Sequence, residues 1–305
     1  MTMIEANNLT KHYGDIKAVQ GIDLTIDAGS IHGFVGPNGA GKSTTMGMLV
    51  GVVTPTVGEA TIGGDPAGSH AALEKIGYAP QDPVFYNSMT ARSYLRHMGK
   101  MSGLDGNLSE RVDELLEWLN LADAADQAIS GYSGGMERRL ALAQAMVHDP
   151  ELLILDEPTA ELDPRGRASI IDTLQNLTDQ GKTVFVSSHV LSELEQFIEE
   201  VTVINDGKVI TSGSLAEVSA GLVETYVVES TDDATLQNLL MECPFVERVE
   251  LHEDSGVTVW IDDEDAFSTT LPTVLSDAEI GLQSMHRESG LEEAFLEMIE
   301  SNEGV

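Results

Sequence analysis

The chain has 305 residues, 42% of them hydrophobic and 22% charged, the make-up of a folded globular protein with room for about two domains and no low-complexity tract. Its 51 acidic and 16 basic residues leave a net charge of −35, a surface that repels nucleic acid and anionic lipid. A single cysteine, Cys243, excludes an intrachain disulfide framework and points to a reducing, intracellular setting.

The acids are spread through every segment, so they do not form an interaction tail. We expect adaptation to a salt-rich cytoplasm, where a Debye length of about 3 Å at 1 M screens the self-repulsion; an acidic protein with no salt requirement is the alternative. No apolar run reaches the ~18 residues of a membrane span. Met1-Thr2-Met3-Ile4-Glu5 lacks the basic and apolar regions of a signal peptide. The expectation is a soluble, cytoplasmic chain.

Residues 4–9 read as a strand, followed by Lys11-His12-Tyr13-Gly14. Ile22, Leu24 and Ile26 alternate with Asp23, Thr25 and Asp27, the pattern of a half-buried strand, which Ala28-Gly29 ends. Locally, Tyr13 reads as strand-end packing; shortly before a phosphate loop, it can instead present its ring to a nucleobase. That loop follows the apolar run 31–35: Gly36-Pro37-Asn38-Gly39-Ala40-Gly41-Lys42-Ser43-Thr44, leading into a helix over 44–50. Strand, glycine-rich loop and helix are the context a P-loop requires. Free N–H groups and the dipole at the helix start attract polyphosphate, and Gly36, Gly39 and Gly41 let the backbone approach it closely. Lys42 offers a point charge to the β/γ-phosphates, and the Ser43 hydroxyl is placed to ligate Mg²⁺. The pattern implies binding of a nucleoside triphosphate.

Residues 56–59 and 61–64 read as a turn and a short strand, and 76–79 as a strand leading into Pro80-Gln81, where a glutamine alone says little. From 82 to 130 the pattern turns helical, with Val112, Leu115, Leu116 and Leu119 on one face. Tyr132-Ser133-Gly134-Gly135-Met136-Glu137 opens a helix reaching about Met146, a second small-residue helix start suited to an anion or simply a flexible cap. Leu152-Leu153-Ile154-Leu155 is a buried strand with Asp156 and Glu157 at its C-terminal end, where open α/β sheets place their ligands. Asp156 suits holding Mg²⁺ and Glu157 suits polarising an attacking water. Asp163 caps a helix that begins at Pro164 and closes near Gly181. Residues 183–187 form another buried strand ending in Ser188-His189, where the histidine can reach a γ-phosphate or serve as a cap. Residues 201–204 and 209–210 flank Asn205-Asp206-Gly207 as a hairpin.

The ordered set resembles the ATP-binding cassette of an ABC transporter over residues 3–215. Tyr13 matches the base-stacking aromatic, 36–44 the Walker A loop and Gln81 the Q-loop. Ser133-Gly134-Gly135-Met136 matches the signature, with Met where Gln is commonest. Leu152 to Glu157 matches Walker B with its glutamate, Leu162-Asp163 the D-loop and His189 the switch histidine. Glu161 departs from the small or neutral residue usual before the D-loop, which bears on a detail of the dimer contact.

The resemblance implies an α/β P-loop NTPase cassette with a RecA-like core, an antiparallel β subdomain and a helical signature subdomain. It implies two cassettes paired head to tail, each ATP lying between one chain's Walker A and the other's Ser133-Gly134-Gly135. Lys42, Glu157, His189 and Gln81 would carry hydrolysis, and Ser43, Gln81 and Asp156 would hold Mg²⁺. The insert over 82–130 would grip an integral-membrane permease, placing the chain on the inner face of the cell membrane.

Beyond an expected boundary that divides the chain into 1–218 and 219–305, strands over 223–229, 246–252, 257–261 and 281–287 and helices over 233–241 and 264–275 give the order βαββαβ, a small ferredoxin-like α+β domain. The ending 290–296 resembles the tail of daunorubicin-resistance-type export ATPases; Leu291, Ala294, Phe295 and Met298 read as the apolar face of a last helix. The expected function is an ATPase driving a separate permease, with export favoured. The alternative is a non-transport ABC ATPase acting on ribosomes or DNA. Translation-type members usually carry two cassettes per chain and DNA-repair types long coiled-coil insertions; neither is in this sequence, and the charge opposes a nucleic-acid partner. A P-loop kinase leaves the signature and His189 unexplained.

Overall fold

The computed structural model describes residues 1–104, 106–160, 162–219, 224–252 and 256–288. Glu161 and the helix expected from Leu291, with Ala294, Phe295 and Met298, lie outside the described residues. The chain divides into two compact units, Met1–Ala216 and Glu217–Val305, each with its own apolar core.

The first unit opens with long antiparallel strands β1 (Thr2–Tyr13) and β2 (Ile16–Asp27). Then come β3 (Ile31–Val35) and the helix α1 (Lys42–Leu49). Strand β4 (Val57–Ile62) pairs with β1 and the two-residue β5 (Asp65–Pro66) with β4, closing the antiparallel sheet β2-β1-β4-β5. The turn expected over 56–59 is therefore largely strand. Gly58 misleads because it marks a crowded crossing: a Cβ there would lie 2.2 Å from the Asn8 carbonyl, beside an irregularity in the β1–β4 register.

Helix α2 (His70–Glu74) and strand β6 (Ile76–Ala79) precede the helical insert, α3 (Ala91–Met101) and α4 (Leu108–Trp118), and then α5 (Gly134–Met146). The insert was expected to be helical from 82, yet no helix forms before Ala91. Pro83 breaks the run, and the Thr90 hydroxyl, accepting the Ser93 N–H, starts the helix there. Val112, Leu115, Leu116 and Leu119 are buried together as their spacing requires.

The unit continues with β7 (Leu152–Leu155), α6 (Pro164–Asp179), β8 (Thr183–Ser188), α7 (Leu191–Leu194), β9 (Glu200–Asn205) and β10 (Lys208–Ser214), and the short α8 (Leu215–Ser219) contains the boundary. Its central sheet has the order β10-β9-β3-β8-β7-β6, parallel throughout except for the edge strand β10. Every residue of β3, β7 and β8 is buried, as expected of parallel strands covered on both faces. Because β3, β8 and β7 are neighbours, the residues that follow them emerge side by side at one end of the sheet.

The second unit runs β11 (Glu224–Ser230), α9 (Asp233–Leu240), β12 (Val246–Leu251), β13 (Val257–Ile261), α10 (Glu264–Asp277) and β14 (Leu282–Glu288). Its sheet order β12-β13-β11-β14, antiparallel at every pair, with two helices in the order βαββαβ, is ferredoxin-like. Asp232 and Asp263 cap the helices by accepting the Thr235 and Ala266 N–H groups. Val228, Val257, Val259 and Ile261 pack with Leu236, Leu240, Phe267 and Leu271.

Candidate functional site

The chain leaves β3 through a loop whose glycines are sterically required. A Cβ on Gly36 would lie 2.4 Å from the Ile204 carbonyl, and one on Gly41 would lie 2.5 Å from the Ala18 carbonyl. Gly41 also sits at φ 106° as the N-cap of α1, and Gly39 at φ 88°, angles open to glycine and strained for other residues. The loop and the first turn of α1 form one wall of a cleft lined by Ala18, Asn38, Gly39, Gly41, Lys42, Ser43, Thr44, Gln81 and Glu157. Pro37 and Ala40 complete the loop, the Ala40 N–H donating to the Pro37 carbonyl at 3.1 Å. The cradle fits a chain of phosphates, which needs close backbone N–H groups and no intruding side chain. Ala18 was not anticipated; an alanine in a strand carries no chemical signal, and it enters the cleft only because β2 passes behind Gly41.

Lys42 and Glu157 meet in this cleft although 115 positions apart. The Lys42 ammonium donates to the Gly36 carbonyl at 2.6 Å and the Pro37 carbonyl at 3.2 Å. It also lies 3.3 Å from Glu157 Oε1, both side chains being 5% exposed. The other oxygen, Oε2, is 3.0 Å from His189 Nδ1. One buried carboxylate thus bridges the phosphate-loop lysine and the histidine that follows β8.

Asp156 and Glu157 are fixed by a group that sequence reasoning read only as strand, Ser187. Its hydroxyl donates to Asp156 Oδ1 at 2.6 Å and accepts the Glu157 N–H at 2.9 Å. A polar residue at the end of the apolar run 184–186 was the signal available for it. Glu157 adopts φ 49°, a left-handed conformation costing on the order of 1–3 kcal/mol in a residue with a side chain, which that N–H bond helps to hold. Burial, with the Asp156 carboxylate adding to it, pushes the Tyr78 phenol up to about 12, so the ring stays neutral beside the acid.

The other expected site residues fall into two groups. Gln81 lines the cleft, and its carbonyl accepts a hydrogen bond from the Arg138 guanidinium. Ser133, Gly134, Gly135 and Tyr13 do not line it. Ser133 caps α5, its hydroxyl accepting the Met136 N–H at 3.4 Å, and a Cβ on Gly135 would lie 3.3 Å from Leu162 Cδ2, so the signature and the D-loop residue adjoin. Tyr13 is 47% exposed at the end of β1, with Lys11 Nζ 4.9 Å above its ring; that exposure does not suit an internal packing role. Asp163 caps α6 through the Gly166 N–H.

Among the described residues no cluster of three His, Cys, Asp or Glu is arranged to hold a metal by itself. Ser43, Gln81 and Asp156 offer a hydroxyl, an amide and one carboxylate. Such a set suits Mg²⁺, which keeps several waters and takes further oxygens from substrate phosphates. Among the described residues no helix is long and apolar enough to cross a membrane.

The profile of the ABC transporter family matches residues 19–160. The chain is 34% identical over 304 residues to the linearmycin resistance ATP-binding protein LnrL of Bacillus subtilis (strain 168), covering 97% of this chain and 98% of that one. It is also 34% identical to the Nod factor export ATP-binding protein I of Burkholderia lata, covering 97% and 96%. Among solved structures it is similar to a dimeric ATP-binding cassette, MJ0796, in a post-hydrolysis state bound to ADP and Pi: TM-score 0.64, 27% identity, 70% of this chain and 99% of that one.

Proposed function

The chain belongs to the ATP-binding subunits of ABC transporters, and from that membership we propose that two such cassettes close head to tail on ATP to drive a membrane permease, with export as its direction. It is an ATPase that uses ATP with Mg²⁺. The observation that carries the mechanism is the Glu157 carboxylate shared by Lys42 and His189 at the glycine loop. Lys42 and the N–H groups of 39–44 bind the β- and γ-phosphates and offset the charge that grows there during transfer. Glu157 takes the proton of the attacking water. His189 orients Glu157, and Gln81, which lines the same cleft, orders the water. Ser43, Asp156 and Gln81 would hold Mg²⁺, which would supply positive charge against the phosphates. Tyr13 stacks on the base, and Ser133-Gly134-Gly135 close on the partner cassette's ATP.

The permease docks on the segment between β6 and α3. Val84 is 89% and Tyr86 59% exposed there, while Phe85 is anchored edge-on against Tyr94, ring centroids 5.3 Å apart. Exposed apolar groups held on a fixed base suit a protein partner. The export direction follows from the names of the two relatives, linearmycin resistance and Nod factor export. Cytoplasmic residence on the inner membrane face follows from attachment to the permease, and the βαββαβ unit is an accessory domain outside the catalytic chemistry.

The test is Ser133→Arg, which blocks the signature without touching the cleft around Lys42. ATP is expected to bind the variant with a Kd within about twofold of the unmodified chain, because Ser133 lies outside that cleft, whereas light scattering finds no ATP-induced dimer and turnover falls at least about 100-fold. A variant that dimerises normally, or that loses ATP binding as a monomer, would show that the signature does not act across a cassette pair.

The charge of −35 extends the proposal to a salt-rich setting. Lengthening the Debye length from about 3 Å at 1 M to about 10 Å at 0.1 M salt restores repulsion among the surface acids. Thermal unfolding is then expected at a midpoint roughly 5 °C or more lower in 0.1 M than in 2 M KCl, taking about 2–4 °C per kcal/mol at this size. Equal midpoints would leave the acidity without a role in salt tolerance.

A further inference from the structure

Arg138 has no part in the chemistry above and does not line the cleft, yet it holds a residue that does. It sits in α5, and its guanidinium donates to the carbonyl of Gln81. Among the described residues this is the one hydrogen bond made by the backbone of residues 80–85, a stretch outside any helix or strand. The next residue, Arg139, points elsewhere: its Nε donates to the Gly135 carbonyl at 3.2 Å and its Nη1 to the Asn120 carbonyl at 3.2 Å, tying α5 to the end of α4. Tyr94 and Arg111 add ties from α3 and α4 to α5, at Gln144 (2.5 Å) and the Met146 carbonyl (3.0 Å). The helices are thus joined to one another by several side chains; the loop carrying Gln81 is pinned to α3 at its far end by Phe85 against Tyr94, and at Gln81 itself by Arg138.

We propose that Arg138 is a positioning residue for Gln81, holding its peptide so that the residue stays in the cleft that Glu157 also lines. The inference rests on the role of Gln81 given above. A charged donor on a backbone carbonyl is a strong, directional contact, and among the described residues no other backbone hydrogen bond holds the peptide of Gln81, four positions from the Phe85 anchor. Arg138 follows the cap residue Ser133 by roughly one and a half turns, about 7.5 Å along the helix axis. A shift of α5 at its signature end is therefore carried to the glutamine of the same chain's own nucleotide cleft. The two ATP sites of a closed pair would sense each other through this side chain.

The test is a double-mutant cycle on steady-state ATPase activity. Arg138→Met keeps the length and removes the donor; it is expected to lower kcat about tenfold with KM for ATP within about twofold, since Lys42 and the glycine loop are untouched. Arg138→Lys, which restores a donor, recovers part of the loss. Gln81→Ala lowers kcat by itself, and adding Arg138→Met to it costs nothing more, because there is no glutamine left to place. If Gln81→Ala lowers kcat but the double variant loses the product of the two single effects, Arg138 acts independently and the proposal is wrong while the role of Gln81 stands. If Gln81→Ala leaves kcat unchanged, the role of Gln81 fails and the proposal fails with it. Thermal unfolding of each variant accompanies the kinetics; a drop in midpoint for Arg138→Met that Arg138→Lys does not repair, with kcat and KM moving together, assigns Arg138 to stability alone.

Discussion

Glu157→Gln is expected to reduce ATP turnover about 10²–10⁴-fold, the range associated with loss of a general base, while ATP still binds and the ATP-bound cassette pair accumulates. The substitution is nearly isosteric, and the site has a place for each end of the amide. The oxygen can face Lys42, 3.3 Å from Glu157 Oε1, and the nitrogen can face His189, 3.0 Å from Oε2. The left-handed backbone at φ 49° and the N–H bond to Ser187 do not depend on the side-chain charge. The loss should therefore fall on kcat and spare binding. Phosphate release measured beside light scattering in Mg-ATP checks both halves. Turnover within tenfold of the unmodified chain would remove Glu157 as the base.

Lys42→Ala is expected to weaken ATP binding about 100-fold or more, since hydrogen bonds to charged groups are worth about 1.5–3 kcal/mol each and tenfold corresponds to about 1.4 kcal/mol. It also removes the ammonium beside a carboxylate that is 5% exposed, and breaking a buried pair from one side costs about 3–5 kcal/mol. The single variant should therefore unfold at a lower temperature as well. Adding Glu157→Gln removes the stranded charge, so the double variant should regain most of the unfolding midpoint and none of the affinity. Calorimetric titration with ATP and a thermal scan separate the two effects. If stability and affinity return together, Lys42 holds the fold and contributes little to the phosphates.

What the sequence made legible was local. Four apolar residues in a row mark β7 as buried on both faces, Asp163 followed by Pro164 marks a helix start, and the spacing from Val112 to Leu119 marks one helical face; each depends on neighbours within a turn or two. The alternations of the second unit were sufficient for its βαββαβ order. Glycines were ambiguous, because close approach and turning demand the same residue: Gly58 read as a turn and is a crossing of strands. Strand order was outside reach, since nothing in residues 31–35 says that 183–188 and 200–205 flank them. The same limit hid Ser187, whose bonds to Asp156 and Glu157 exist because β7 and β8 are adjacent, and Arg138, which meets Gln81 across 57 positions. Candidate residues were readable from motifs; the contacts that orient them were not.

The placement of β3 has a consequence for the timing of synthesis. Its partners are β8, in register from Ile31 with Val184 to Val35 with Ser188, and β9. When the ribosome has made the glycine loop, the strands that will hold it do not yet exist. At about 5–20 residues per second, the stretch from Gly36 through Ser188 takes roughly 8–30 s to emerge. Throughout that interval a strand that ends up wholly buried and a loop shaped for polyphosphate wait without their frame, in a chain whose sheet is built from distant pairings and so closes slowly. A nascent chain halted before residue 188 would display every residue from Gly36 to Thr44 and still have no nucleotide site.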